Sequence, residues 1–207
     1  MRKIFSLLFF IFVCSFCLFA QSSETKEEYA VYARVLRDIR SEDVKQSKAK
    51  YSFVILDATF NPDYFSEYKN GKFRSLSTDF RRKNHTSSKL EKMFPVKYEY
   101  EMTSQSEIDE LLKIGSNEFE RVEAEYKLRN MVITSGSSIV WKPFYAKHPK
   151  ANGYYQFSRV GFSSDRKFAL VSVEGKGAYW FSNMEYILRK VKGKWTVYQA
   201  AGSFGIA

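Results

Sequence analysis

The chain has 207 residues, a formal net charge of +10 at neutral pH and two cysteines. That length supports one domain of ordinary size with its own core. Both cysteines, Cys14 and Cys17, lie in an N-terminal apolar segment, so a mature chain lacking that segment has no disulfide, thiolate nucleophile or cysteine metal site.

Met1 to Ala20 has the three parts of a secretory signal: Arg2 and Lys3, an apolar run from Ile4 to Phe19, and small residues at the exit. Cleavage is expected after Ala20 or after Ser22. An uncleaved anchor is the alternative, since the run approaches the roughly 17 residues that span a bilayer. Cleavage is the better reading because small and polar residues follow without a basic stop-transfer cluster. Val13 and Phe16 precede the cysteines where a lipoprotein signal needs small residues, which argues against lipidation. Loss of Arg2 and Lys3 lowers the formal charge from +10 to +8. A bacterial periplasm or exterior is the expected location; in a eukaryotic host Asn84-His85-Thr86 would be a glycan acceptor. Residues 21–207 show no internal repeat and no low-complexity linker, so one domain is expected.

Glu27 to Arg40 places Tyr29, Tyr32, Ala33, Leu36 and Ile39 at helical spacing between charged residues, which predicts an amphipathic helix. A lysine-rich connector, Lys45 to Lys50, follows. Tyr51 to Phe60 is apolar without clean alternation, the pattern of an inner strand covered on both faces. Asn61-Pro62-Asp63 breaks it, and Tyr64 to Tyr68 is read as a short helix or turn. Lys69 to Lys97 carries nine basic residues against Asp79 and Glu91, and reads as a basic exposed loop centred on Arg81-Arg82-Lys83. Glu99 to Glu125 inverts the sign, with nine acids against Lys113 and Arg121, so the two blocks suggest mutual pairing or a dipolar surface.

Ser104-Gln105-Ser106-Glu107 is a capping box leading into Ile108, Leu111 and Leu112. Gly115 is expected to end that helix and Asn117 to cap another, with Val132 and Ile133 already strand. Gly136-Ser137-Ser138 reads as a turn, and Pro143 limits regular structure from Trp141 to Tyr145. A four-strand meander is predicted next: Tyr154 to Phe162, Lys167 to Glu174, Ala178 to Val191 and Lys194 to Ala201. Its turns are Ser163 to Arg166, Gly175-Lys176-Gly177 and the tight Lys192-Gly193 hairpin. The expected class is therefore α+β, an N-terminal helix packed on an antiparallel sheet that ends in this meander.

The residues Trp141, Phe144-Tyr145, Pro149, Gly153, Phe157 to Ser163, Ala169-Leu170-Val171 and Gly193-Lys194-Trp195 give the last third of the chain a specific pattern. It resembles a family of small exported bacterial proteins, many from Bacteroidetes, which carries no assigned activity. In that family the loop between the second and third strands often bears cysteines, where this chain has Glu174-Gly175-Lys176-Gly177. A curved sheet closed by a Gly-Lys-Trp hairpin also looks like the cystatin-like or NTF2-like architecture. That likeness implies a helix in the sheet's concave face and carries no function.

No motif assembles a catalytic set. Asp57, near the end of the inner strand, and His148 are the candidates for chemistry, although an Asp before Ala58-Thr59 commonly accepts hydrogen bonds from the next turn. His148 and His85 are the only histidines, and without an HxH or HExxH pattern no metal site is expected. Ser158, His148 and Asp57 form a triad only on paper, since there is no GxSxG elbow. Glu118, Glu120, Glu123 and Glu125 read as solvated ion pairs, Glu118 with Arg121 and Glu123 with Lys127. No phosphate-binding glycine motif occurs, so no nucleotide cofactor is expected.

Two binding surfaces are candidates. Lys72, Arg74, Arg81, Arg82 and Lys83, interleaved with Phe73 and Phe80, suit an anionic envelope component or another envelope protein; an exported chain seldom meets nucleic acid. Much of the 17% aromatic content falls on the predicted strands, chiefly as core. Tyr179 and Phe181 share one face of the third meander strand, so a pocket on the sheet could take an apolar or sugar-like ligand. The expected function is a non-catalytic binding or accessory protein of the cell envelope. The alternative is a small hydrolase or lyase with its pocket on the sheet.

Overall fold

The computed structural model describes residues 26–41, 52–62, 71–90, 100–129 and 136–206. The signal segment, the Lys45 to Lys50 connector, Tyr64 to Tyr68 and the Val132-Ile133 pair lie outside them. The described chain runs α1 (26–41), β1 (Ser52–Leu56), a 3-10 turn (Gly71–Phe73), α2 (Arg74–Lys83), β2 (Tyr100–Thr103), α3 (Gln105–Leu128) and α4 (Gly136–Lys147). It continues through β3 (Ala151–Phe157), β4 (Gly161–Phe162), β5 (Phe168–Lys176), β6 (Trp180–Val191) and β7 (Lys194–Ile206).

The strands form one seven-stranded sheet ordered β2-β1-β3-β5-β6-β7, with β4 paired to β5 off that path. β1 pairs parallel with both β2 and β3, while β3, β5, β6 and β7 pair antiparallel in succession. The architecture is α+β with a C-terminal meander. Pairing on both sides makes β1 an inner strand. All five of its residues are buried, which explains its unbroken apolar run.

Side chains alternate across the sheet and build a separate core on each side. On one face Phe53, Ile55, Tyr155, Phe157, Ala169, Val171, Val173, Tyr186 and Leu188 pack against Val31, Tyr32, Val35 and Leu36 of α1. On the other, Val54, Leu56, Ala151 and Tyr154 meet Ile108 of α3 and Phe144 of α4. Farther along that face Leu170 and Ile187 meet Leu76 and Phe80 of α2. The α1 stripe is centred on Val31, Tyr32, Val35 and Leu36, with Tyr29 and Ile39 at its margin. The phenol of Tyr32 donates to the Ser158 carbonyl at 3.0 Å, and burial pushes its pKa well up, so it remains a neutral donor. α1 thus fills the face that carries Trp180, Met184, Tyr186 and Leu188, the one opposite Tyr179 and Phe181.

Four local expectations are corrected. The basic segment is not a loop from Gly71 to Lys83: Phe73, Leu76, Phe80 and the Lys83 stem recur at helical spacing, and α2 buries Leu76, Phe80 and Lys83 against the sheet and its neighbours. Gly115 does not end a helix, since α3 continues to Leu128, leaving Asn117 inside the helix. Gly115 marks where α4 crosses, because a Cβ there would lie 1.9 Å from the Val140 carbonyl oxygen. Gly136 to Ser138 is helical, and α4 passes through Pro143 because burial of Phe144, with Trp141 and Tyr145 packed around it, outweighs the lost backbone bond. Gly175 and Lys176 belong to β5 rather than to a turn; the glycines leave room for the Trp180 indole, which a Cβ on Gly177 would approach to 2.3 Å.

Other features match expectation. Ser104 Oγ accepts the Glu107 amide hydrogen at the start of α3. Lys192 and Gly193 turn the last hairpin with φ of 47° and 78°. Trp195 is 7% exposed and packs against Phe162. Trp195→Ala is therefore expected to cost about 3 to 5 kcal/mol in a denaturant titration; a loss below about 1 kcal/mol would show that the ring is not part of the core.

Candidate functional site

The helical spacing of α2 aligns Arg74, Ser75, Thr78, Asp79 and Arg82 on one stripe. This stripe faces the β4–β5 turn, Ser163 to Arg166, across an open groove of about 870 Å³. Arg166, at a φ of 52°, ends the turn. The Ser164 amide donates to Ser75 Oγ at 3.3 Å, and the Phe162 amide to Asp79 Oδ2 at 2.8 Å, so turn and helix are held in fixed relation.

Three arginines, Arg74, Arg82 and Arg166, line the groove together with two aspartates. Both carboxylates are engaged by the fold. Asp165 accepts from Ser163 Oγ at 2.6 Å and from the Lys167 amide at 3.1 Å, which holds its pKa below the ordinary value. Burial pushes Asp79 up, but bonds from the Phe162 amide and Arg82, with the charge of Lys83, outweigh it and leave the carboxyl below the usual range. Arg74 is exposed at the groove, and Arg166 lies 5.1 Å over the Phe162 ring while pairing with Glu27 at 2.8 Å. Hydroxyls of Ser75, Thr78, Ser163 and Ser164 complete the wall. Arginine forks beside hydroxyls can chelate a phosphate or carboxylate.

The basic triplet expected to act as one patch is divided by the helix. Arg82 faces this groove, while Arg81 lines a cleft of about 180 Å³ with Asn61, Pro62, Phe80, Asn84 and His85. Lys83 turns into the core, its side chain 3% exposed, and is excluded from ligand contact. Its ammonium lies 3.3 Å from Glu28 of α1 and 3.4 Å from Asp79, and donates to the Val160 carbonyl at 3.1 Å. Arg159 also reaches Glu28, at 3.2 Å. Beside it Glu27 pairs with Arg166 and Lys190; burial raises its pKa, and those bonds more than reverse the shift. Asn84 is buried by three bonds, to Phe80 O and Arg159 O and from the Arg159 amide, which denies a glycan access to it in the folded chain.

The residues considered for catalysis are not brought together. Asp57 follows the C-terminal end of β1, where its backbone bonds Thr103 and Leu90. His148 lies at the opposite end, beside Lys150, whose carbonyl accepts from Ser52 at the start of β1. Five strand residues separate the two, about 16 Å along the strand. His148 is 5% exposed, its Nδ1 is 2.6 Å from Glu101 Oε2, and its Nε2 is buried without a polar partner. No substrate atom can reach that nitrogen in this conformation. Ser158 is fully buried, its Oγ held by the Ser172 amide and the Arg159 carbonyl. Tyr179 and Phe181 are 53% and 49% exposed and line neither the groove nor the small cleft. Of the acidic residues on α3, Glu123 pairs with Lys127 as expected, whereas Glu118 pairs with Lys142 of α4 and Arg121 with Glu125.

Among the described residues no group of three or more His, Cys, Asp or Glu comes together to hold a metal ion, and no helix is long and apolar enough to cross a membrane. Comparison with protein-family models, curated proteins and solved structures yields no match.

Because Asp79 and Glu27 have depressed folded-state pKa values, their contribution to stability is complete above the unfolded-state values and is lost as pH falls through the folded ones. Urea midpoints are expected to be level above about pH 5 and to fall below about pH 4, with a flatter acid limb in Asp79→Asn. Lys83→Ala, which leaves Glu28 buried without its amine, is expected to cost about 3 to 5 kcal/mol at neutral pH, and Lys83→Met less. An unchanged midpoint in Lys83→Ala would contradict the buried cluster.

Proposed function

We propose that the chain is an exported, non-catalytic binding protein of a bacterial envelope whose groove between α2 and the β4–β5 turn receives a phosphate-bearing anionic ligand. Export is supported by the Met1 to Ala20 pattern. The observation that carries the binding reading is the arrangement of charge in the groove. Three arginines line it, while the carboxylates of Asp79 and Asp165 already accept bonds from the fold. The lining carries three guanidinium groups against two carboxylates, and with Arg82 paired to Asp79 and Arg166 to Glu27 it is Arg74 that stands exposed at the opening, adding to the basic balance of the chain. The turn and helix are braced by the Ser164 to Ser75 and Phe162 to Asp79 bonds, so little ordering accompanies binding.

The test compares binding to phosphatidylglycerol vesicles, to phosphatidylcholine vesicles and to soluble glycerol phosphate. Arg74→Glu, at an exposed position, is expected to weaken binding to the first and third about tenfold, or ~1.4 kcal/mol. The same reversal at Lys127, 72% exposed on α3, is expected to change little. Equal binding to the neutral vesicles, or equal losses from both reversals, would show that general charge rather than the groove is responsible.

A further inference from the structure

We infer that β7 is the surface on which two copies of this chain pair, edge to edge and antiparallel across a two-fold axis. β7 ends the sheet order, bonded to β6 over its length and, among the described residues, to no strand on its outer side. It is 13 residues long, so its outer edge offers a row of backbone N–H and C=O groups about 40 Å in length. From Thr196 onward its side chains are mostly exposed on both faces, with Phe204 64% and Ile206 79% exposed. Sheets ordinarily protect such an edge by shortness, charge, proline or covering. The opposite edge of this sheet is protected in that way, since β2 has four residues and carries Glu101. β7 has no Asp, Glu, Lys, Arg or Pro from Trp195 to Ile206. Its one register shift falls where Leu188 faces Val197 and Ile187 faces Gln199, which leaves Gln199 to Ile206 in regular register.

An antiparallel two-fold makes this uncharged edge its own complement, so a second copy fits it, and the charge pattern selects the direction. The chain carries a large positive formal charge, so two copies repel over most approaches. β7 is a long element on which this basic protein presents no charge beyond its first residue. Lys190, Lys192 and Lys194 gather at the hairpin end. Antiparallel pairing in full overlap sets Lys194 opposite Ile206 of the second copy and keeps the two lysine clusters a strand length apart; parallel pairing would set them side by side. Ala200 then lies opposite Ala200 of the second copy, with Ala201 opposite Gln199 and Gly202 opposite Tyr198, so neither two bulky side chains nor two charges meet at the centre. Two-fold pairing consumes the β7 edge of each copy and closes at two, whereas β7 against β2 would propagate.

Sedimentation velocity of the purified protein through the micromolar range is expected to show a monomer–dimer equilibrium. Ala200→Lys combined with Ser203→Lys, both at exposed positions, is expected to leave only monomer with an unchanged circular dichroism spectrum. Gln105→Lys at the start of α3 is expected to leave the dimer intact. Amide exchange within 195–206 is expected to slow as protein concentration rises. That comparison decides by itself if the paired lysines prevent folding. A monomer throughout the range, a dimer indifferent to the paired lysines, an open-ended polymer, or exchange in β7 that does not depend on concentration would overturn the inference.

Discussion

The burial of one ammonium group orders this structure. Lys83 leaves water almost completely, a step that costs several kcal/mol unless its charge is met by carboxylates and its protons by acceptors. Glu28 on α1, Asp79 on α2 and the Val160 carbonyl supply them, and the Phe162 ring lies 4.8 Å from the nitrogen. These partners come from three parts of the chain that lie far apart in sequence. The compensation exists only when α1, α2 and the β3–β4 connection are together, so the cluster favours a particular arrangement of packed helices. Hydrophobic contact alone specifies such an arrangement less sharply.

That arrangement decides where a ligand can go. α1 occupies one sheet face through Val31, Tyr32, Val35 and Leu36, and α3, α4 and α2 divide the other. Most strand aromatics are therefore spent on cores, while Tyr179 and Phe181 stay half exposed and line neither cleft. Among the described residues the larger of the two clefts is the seam where α2 meets the β4–β5 turn. Asp79 links the two devices: one oxygen accepts from the Phe162 amide and lies near Lys83, the other accepts from Arg82. The same carboxylate that neutralises the buried amine braces the groove wall.

The sheet was largely legible because its signals are local. The period-2 run Ala169, Val171, Val173, the apolar run of β1 and the Lys192-Gly193 turn each name an element without reference to anything distant. Tertiary contacts defeated the glycine and proline signals. Gly115 is set by Val140, too distant in sequence for turn chemistry to reveal it, and Gly177 by the indole of Trp180, which is near in sequence but is seated by its packing beside Tyr155. Pro143 is overridden by the packing around Phe144. The groove was only half legible. Arg74 and Arg82 read as basic surface, yet the adjacent Arg81, Arg82 and Lys83 read as one patch although a helix directs them apart. The spacing of Phe73, Leu76, Phe80 and Lys83 was the available signal, obscured because a lysine stood where an apolar residue completes the stripe. Arg166, and Glu27 and Glu28 as its anchorage and that of Lys83, had no sequence signature, since their partners lie more than fifty residues away.

The central claim, that binding resides in the seam between α2 and the β4–β5 turn and not on the aromatic sheet, is tested most directly by amide chemical-shift mapping during titration with glycerol phosphate. Saturable shifts concentrated at Ser75, Thr78, Ser164 and Arg166 are expected. Shifts concentrated around Tyr179 and Phe181, or spread evenly over the basic surface, would contradict it.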